Sequence, residues 1–247
     1  ISQLEESPSS TFYIGTCEFL HRVFIGRHKL PKHTDFQKLM DVINKYFKMK
    51  EGAEISVELD PRVTSDEHLE VLAAIGVNRV SLGVQDFDPK VQKAINRIQS
   101  FEMVDGFVKK IRKAGIAGVN FDLIYGLPFQ TQESIEETLR RTVEISPDRI
   151  AFYKLALIPT LFKWQKLFKP SDLPLNEEAL AMQLNAISFF GENGYEFLGL
   201  DHFAKKTDSL AIANRNGKMQ RTFQGMTTHK NINTIGVGPS AISIFNK

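Results

Sequence analysis

Two rhythms alternate along this chain. After His33, the residues Phe36, Leu39, Met40, Ile43 and Phe47 return every three or four positions, the mark of one apolar helical face. Thr34 or Asp35 stands where a cap belongs. Residues 54–59 then read as a strand, 65–75 as a helix closed by Gly76, and 79–84 as a strand ending in Gln85 and Asp86. Two short helices follow at 89–96 and 101–114. Residues 118–125 are apolar and β-prone, too few for a helix, and stopped by Gly126 and Pro128. A periodic helix at 131–145 carries Ile135, Leu139, Val143 and Ile145. A strand at 149–157, a long connection, a helix at 176–190 and a strand at 195–200 complete the pattern, with a last strand expected within 233–243.

Strand-helix-strand order with crossovers of this length requires parallel pairing. The strands read as near-continuous apolar runs, as when both faces are covered. No Gly-x-Gly-x-x-Gly follows the first strand and no phosphate-loop motif is present, so dinucleotide and ATP folds lose support. The expected class is α/β, a partial (β/α) TIM-type barrel of parallel strands.

Asp122 interrupts the apolar run 118–125. An unpaired buried charge is costly, so Asp122 needs an internal cation, backbone amides or a polar ligand at the mouth of a sheet. Other strands also end in polar groups: Glu58 with Asp60, Gln85 with Asp86, and Lys154 near Ala156. Arg97 follows the next short helix. Each has an ordinary structural reading. Glu58 or Asp60 would cap a helix, Gln85 would satisfy loop backbone, and Arg97 would be a solvated helix end. Together they converge, because parallel strands place their C-terminal ends on one rim. Carboxylates, a carboxamide and a guanidinium there suit a nucleoside carrying an amino acid.

Charge narrows the partners. With 31 basic and 29 acidic residues the net charge is +2, which gives no bulk attraction to nucleic acid or membrane. No apolar run approaches the roughly 20 residues that span a bilayer. The start, Ile-Ser-Gln-Leu-Glu-Glu-Ser-Pro, has no signal-peptide pattern. Cys17 is the only cysteine, so no internal disulfide forms, as in a reducing cytoplasm. The expectation is a cytoplasmic monomer. The histidines show no metal-ligand spacing and no metal site is assigned. His202 reads equally as a substrate-facing residue or a satisfied strand-end histidine. The run Lys109, Lys110, Arg112, Lys113 reads as a solvated helix face.

Several segments then resemble one family. They are Ile-Ser-Val-Glu-Leu-Asp-Pro-Arg at 55–62, Asn-Arg-Val-Ser-Leu-Gly-Val-Gln-Asp-Phe at 78–87 and Asn-Phe-Asp-Leu-Ile-Tyr-Gly-Leu-Pro at 120–128. Further on come Gly-Leu-Asp-His-Phe-Ala at 199–204, Phe-Gln-Gly-Met-Thr-Thr at 223–228 and Gly-Val-Gly-Pro-Ser-Ala-Ile-Ser at 236–243. From about residue 33 onward the chain resembles the oxygen-independent coproporphyrinogen III oxidases (dehydrogenases) of the radical S-adenosylmethionine superfamily. The resemblance implies a radical SAM core, S-adenosylmethionine and a [4Fe–4S] cluster. It implies cofactor contacts at Glu58, Gln85, Arg97, Asp122 and the backbone near Ala156, and a second-molecule contact at Ile242. It further implies that a 5′-deoxyadenosyl radical takes hydrogen from propionate side chains of coproporphyrinogen III. Loss of carbon dioxide, twice, then gives protoporphyrinogen IX in haem (porphyrin) biosynthesis. Catalytic residues and the electron donor stay unassigned. Phe162, Trp164 and Phe168 would line a porphyrin pocket or, the favoured reading, pack over the barrel.

The chain departs from that family at its start. The family's Cys-x3-Cys-x2-Cys motif is missing, and one cysteine cannot supply three cluster ligands. The glycine-rich Gly-Gly-Gly-Thr-Pro segment is also missing. The expectation is therefore a truncated or frame-disrupted copy, inactive alone. Residues 1–31 would be an atypical segment foreign to the family, and 32–247 a barrel missing its first strand or strands and its C-terminal helical region. The alternative is a non-catalytic binder of S-adenosylmethionine or of haem or another tetrapyrrole.

Overall fold

The structure, a computed structural model, describes residues 33–46, 52–222 and 225–228. The described chain falls into two compact units. The first takes residues up to Leu82, Phe107–Val119 and those from Asn216 on; the second takes Gly83–Gly106 and Asn120–Arg215.

In the first unit, helix α1 (His33–Tyr46) buries Phe36 and Met40 of the predicted apolar face and half-buries Ile43, while Leu39 of that face is exposed. Thr34 and Asp35 lie inside the helix and do not precede it, so neither is its N-cap. Strand β1 (Ser56–Leu59) pairs in parallel with the first part of β2 (Arg79–Gln85), from Ser56 opposite Arg79 to Leu59 opposite Leu82. Val57, Leu59, Val80 and Leu82 face the core, while Ser56, Glu58, Arg79 and Ser81 take the half-buried face. Between these strands runs α2 (Asp66–Ala74), entered through Ser65, whose N–H donates to His68 Nδ1 at 3.3 Å. Asn78 pins the strand starts: its Oδ1 accepts from Ile55 N, and its carbonyl accepts from Gly118 N at the start of β3 (Gly118–Tyr125). At Gly118 an added Cβ would lie 2.9 Å from Arg79 Cζ and 3.1 Å from Arg79 Cβ, so a side chain there would require Arg79 to shift. A short antiparallel pair, β7 (Gln220–Thr222) with β8 (Gly225–Thr227), also belongs here. Helix α4 (Phe101–Lys113) contributes residues to both units.

In the second unit, α3 (Pro89–Ala94) starts on Asp88, whose Oδ1 accepts from Lys90 N and Val91 N. Strand β3 pairs in parallel with β4 (Arg149–Lys154), from Asn120 opposite Arg149 to Tyr125 opposite Lys154. Helix α5 (Gln132–Ile145) lies between them in sequence, capped by Thr131 Oγ1 accepting from Ser134 N at 3.2 Å. After α6 (Asn176–Glu192) comes β5 (Tyr195–Gly199), then β6 (His202–Lys205) and α7 (Ser209–Arg215). The strand order is β3-β4-β6-β5, and both β4–β6 and β6–β5 are antiparallel. The expectation of parallel strands throughout is corrected here. Only Leu200 and Asp201 join β5 to β6, and a parallel crossover needs a dozen residues or more. Gly199 (φ 94°) and Leu200 (φ 56°) give the positive φ values such a tight turn uses. Strand β4 ends at Lys154, three residues before the expected 157.

Phe190 of α6 anchors this core. It is fully buried, with ring centroids 5.0 Å from Phe203, 5.7 Å from Tyr195 and 6.5 Å from Phe152. Phe152 in turn stacks on Tyr125 at 4.8 Å. Among the described residues no helix is long and apolar enough to cross a membrane. The expected boundary at 31/32, Phe47 and the expected strand within 233–243 lie outside the described residues.

Phe190→Ala should lower the unfolding free energy by about 3–5 kcal/mol, because it empties a ring-sized volume that the rings of Phe203, Tyr195 and Phe152 cannot close. Denaturant titration followed by circular dichroism checks this; a loss below ~1 kcal/mol would contradict the packing described.

Candidate functional site

Strand β2 reaches its C-terminal end at Gly83, Val84 and Gln85. Gly83 has no side chain, and two others occupy the space above it. A Cβ built there would meet Gln85 Nε2 at 2.8 Å and Arg97 Nη2 at 3.2 Å. The Gly83 carbonyl accepts from Arg97 Nε at 2.8 Å and from Gln99 Nε2 at 3.0 Å. Gln85 and Arg97, predicted from sequence to share a site, therefore meet over one glycine. Arg97 is half-buried, so the reading as a solvated helix end fails. Gln85 adopts φ 68°, a left-handed conformation uncommon for a residue with a side chain. Its Oε1 is buried without a hydrogen-bond partner among the described residues. An orphaned buried acceptor costs about 1–3 kcal/mol.

The next residue behaves differently. Asp86 has no exposed surface. Its Oδ1 accepts from Asp88 N at 2.6 Å and Thr138 Oγ1 at 3.1 Å, and its Oδ2 accepts from Gln130 Nε2 at 2.6 Å. Burial pushes its carboxyl up to about 6, although Gln130, the Asp88 amide and Thr138 all pull it down. Thr138 also accepts from Phe87 N, and Gln130 Oε1 from Leu127 N. Gln92 donates to the carbonyls of Asp86 and Gln99. Thus Asp86 is a structural bolt that fixes the loop after β2, and not the rim group expected. Gln92, Gln99, Gln130 and Thr138 escaped the sequence reading, because glutamine and threonine are ordinarily surface residues.

Asp122 is only half-buried. The side chains of β3 alternate: Val119, Phe121, Leu123 and Tyr125 are buried, while Asn120, Asp122 and Ile124 take the opposite face. Asn120 Nδ2 donates to Asp122 Oδ1 at 3.0 Å. Register carries this face across the sheet, with Asp122 opposite Ala151 and Ala151 opposite His202. His202 Nε2 lies 3.4 Å from Tyr153 Oη. A carboxylate, a histidine and a phenol thus sit on neighbouring strands of one face.

Ala156 follows β4 in an exposed loop. Its carbonyl accepts from Gln165 Nε2 at 2.9 Å, and Gln165 Oε1 accepts from Ile158 N at 2.6 Å. Buried Gln165 therefore shapes the backbone that the sequence singled out. Glu58 belongs to the first unit, half-buried on β1 opposite Ser81. Asp60 is buried and bonded to Arg62, with Nε at 3.0 Å and Nη2 at 2.6 Å. Helix α2 is entered through Ser65, so neither Glu58 nor Asp60 caps it. Ile242 lies outside the described residues, as does Cys17. Among the described residues, no three His, Cys, Asp or Glu side chains gather as a metal site would require.

Comparison with known proteins bears on this arrangement. A family model described as the Radical SAM superfamily matches residues 11–142. The match begins at residue 11, so the stretch 11–31, expected to be foreign, falls within it. The chain is 40% identical over 241 residues to the oxygen-independent coproporphyrinogen III oxidase of Escherichia coli, covering 92% of this chain and 53% of that protein. It is 45% identical over 211 residues to the protein of the same name from Bradyrhizobium diazoefficiens, covering 84% and 46%. The solved structure of Escherichia coli coproporphyrinogen III oxidase, described as a radical SAM enzyme, superposes with a TM-score of 0.84 at 41% identity. That superposition covers 87% of this chain and 50% of the other. The chain spans about half the length of the curated relatives it matches.

The Asp86 bolt gives a pH signature. Its folded pKa of about 6 exceeds the ordinary 3.8, so the folded state binds the proton more tightly. Its contribution to stability is complete below about pH 3.8 and lost as pH rises through about 6, on the order of 3 kcal/mol in all. Asp86→Asn points an NH2 group at donors and should cost about 1–3 kcal/mol. The gap between wild type and variant should narrow from about pH 4 to pH 7. Urea unfolding at several pH values measures it; a gap widening with pH would show the carboxylate held low by its donors.

Proposed function

We propose, for a chain that belongs to the Radical SAM superfamily, that it is the S-adenosylmethionine-binding part of an oxygen-independent coproporphyrinogen III oxidase. The observation that carries the reading is the cradle over Gly83. There the Gln85 carboxamide, through Nε2, and the half-buried Arg97 guanidinium, through Nη2, converge on a position with no side chain, and the Gln85 Oε1 is buried without a hydrogen-bond partner among the described residues. That pair suits a ligand offering both a donor and a carboxylate, as the methionine part of S-adenosylmethionine does. Gln85 Oε1 would accept from the ligand and Arg97 would hold its carboxylate. Asp122 would accept from ribose hydroxyls or the ammonium group. The Ala156 carbonyl, held by Gln165, keeps a second lone pair for the ligand. Glu58 and Ile242 join the set by their match to family motifs. The substrate of the relatives' name, coproporphyrinogen III, is the proposed small-molecule partner of a cytoplasmic monomer, with no nucleic acid or membrane involved.

S-adenosylmethionine supplies a hydrogen-abstracting radical when it is reduced. A [4Fe–4S] cluster is held by cysteine thiolates, and these 247 residues contain one cysteine. The residues present fit the nucleotide and do not fit the cluster. The chain by itself therefore binds and does not reduce its ligand. That same single cysteine favours, as a second reading, a non-catalytic binder of S-adenosylmethionine or a tetrapyrrole.

Two outcomes follow. Anaerobic reconstitution of the 247-residue chain with iron and sulfide should give no stable [4Fe–4S] absorption band and no reductive cleavage of S-adenosylmethionine; a stoichiometric cluster on one chain would refute this. Without chelation by a cluster, S-adenosylmethionine should bind with Kd on the order of 10⁻⁴ M, each 1.4 kcal/mol lost being about tenfold. Asp122→Ala should weaken it by about 1.5–3 kcal/mol. Gly83→Ala should weaken it by about tenfold or more, by displacing Gln85 and Arg97. Calorimetric titration of the three proteins decides; equal affinities would remove the site assignment.

A further inference from the structure

The connection from β4 to α6 presents an apolar surface to water. Leu161 is 70% exposed, Leu167 82% and Trp164 43%. Phe162 and Phe168 flank the indole, with ring centroids 6.4 and 5.4 Å away. Phe162 and Trp164, expected to pack over the barrel, keep 38% and 43% of their surface exposed. Large apolar side chains gathered in one exposed segment mark a contact surface.

The segment is not a loose loop. Gln165, buried between the exposed residues, bonds to Ala156 O and Ile158 N. Downstream, the Asp172 carbonyl accepts from Phe129 N at 2.6 Å. Leu155 N donates to Tyr125 O at 2.8 Å. These bonds fasten the segment, at both ends, to the loops that leave the C-terminal ends of β3 and β4. It thus stands at the C-terminal ends of β3 and β4, where Gln130 also ties in the loop after β2 that carries Gln85, through Asp86.

Its charge is one-sided. Lys163, Lys166 and Lys169 alternate with the apolar residues, all three exposed, and residues 161–169 contain no acid. A surface that is apolar in its middle and cationic at its margins complements a ligand with an apolar body and peripheral carboxylates. Lysine ammonium groups suit that role, since they reach flexibly from long apolar stems. We propose that residues 161–169 form the ledge that binds the tetrapyrrole, its ring against Trp164 and its propionates on the three lysines. This rests on the function proposed above and names the substrate-recognising segment of that site.

Trp164 is the only tryptophan, so its fluorescence reads the ledge directly. The probe is coproporphyrin III, the air-stable oxidised macrocycle with four propionates, titrated into the full chain with inner-filter correction. Saturable quenching of Trp164 is expected. Lys163→Glu/Lys166→Glu/Lys169→Glu should weaken it about tenfold or more. Added salt should weaken wild type far more than that variant. Leu180→Ser/Leu184→Ser, on the exposed side of α6, should change nothing. The triple-lysine variant should keep its calorimetric response to S-adenosylmethionine, which shows that it is folded. Unsaturable quenching, a triple variant that binds as tightly as wild type, or equal weakening by the leucine variant would overturn the ledge. So would sedimentation showing Trp164 buried between two copies of the chain. Loss of S-adenosylmethionine binding by wild type, with the porphyrin result intact, would instead count against the function proposed above.

Discussion

A carboxylate without exposed surface must be given donors, and the second unit is arranged to give Asp86 three. They come from separate places: the Asp88 amide in the same turn, Gln130 in the loop after β3, and Thr138 in α5. Withdrawing any one leaves a buried acceptor short, at a cost larger than a typical net hydrogen bond. The loop after β2 is consequently fixed to the loop after β3 and to a helix by polar bonds, and not by side-chain packing alone. Gln92 and Gln99 extend the bolt to the Gly83 carbonyl, which also receives Arg97. Backbone conformation at Gln85, immediately before the bolt, is thereby held in a region it would not choose. The cradle over Gly83 follows from the burial of its neighbour.

The alternation of strands and helices was legible because periods of two and 3.6 survive in the apolar residues of β3, α1 and α5. The hairpin β5–β6 was not, since its whole signal is Gly199-Leu200-Asp201, too short to stand out from one strand and its end. Asp122 was legible as a special residue but for an incomplete reason. It seemed a charge inside a buried strand, whereas alternation puts it on the half-buried face with Asn120. Gln85 and Asp86 looked alike in sequence, two polar residues at a strand end, and the structure separates them into cradle and bolt. Neighbouring side chains at a strand end diverge, so adjacency predicted the wrong partner for one of them. Glutamines 92, 99, 130 and 165 carry no periodic signal, and only the buried carbonyls around them reveal their purpose. The exposure of Trp164 was not legible, because aromatic residues ordinarily pack and this segment is apolar without being fully covered.

Two kinds of evidence for a ligand have to be kept apart, because a fold needs one kind and not the other. Asp86 and its donors would be required in this loop whether or not anything bound, since they satisfy one another. Gln85 Oε1 has no such partner among the described residues, although the Gly83 carbonyl beside it accepts from Arg97 and Gln99. A buried, unpartnered Oε1 at Gln85 subtracts about 1–3 kcal/mol. The left-handed φ at that residue adds strain, and a glycine within a strand gives up packing and backbone entropy. The fold itself gives a return on two of these, since Gln85 and Arg97 pack over the glycine and the Asp86 bolt holds the backbone at Gln85, but among the described residues it gives none on the orphaned Oε1. A ligand that donates to Oε1, as proposed above, would offset that cost. Cluster ligation rests on a separate demand, several thiolates in one place, that no strand-end side chain can meet. The function proposed above thus makes two separate demands, a donor for Gln85 Oε1 and thiolates for a cluster, and the single cysteine bears on the second alone.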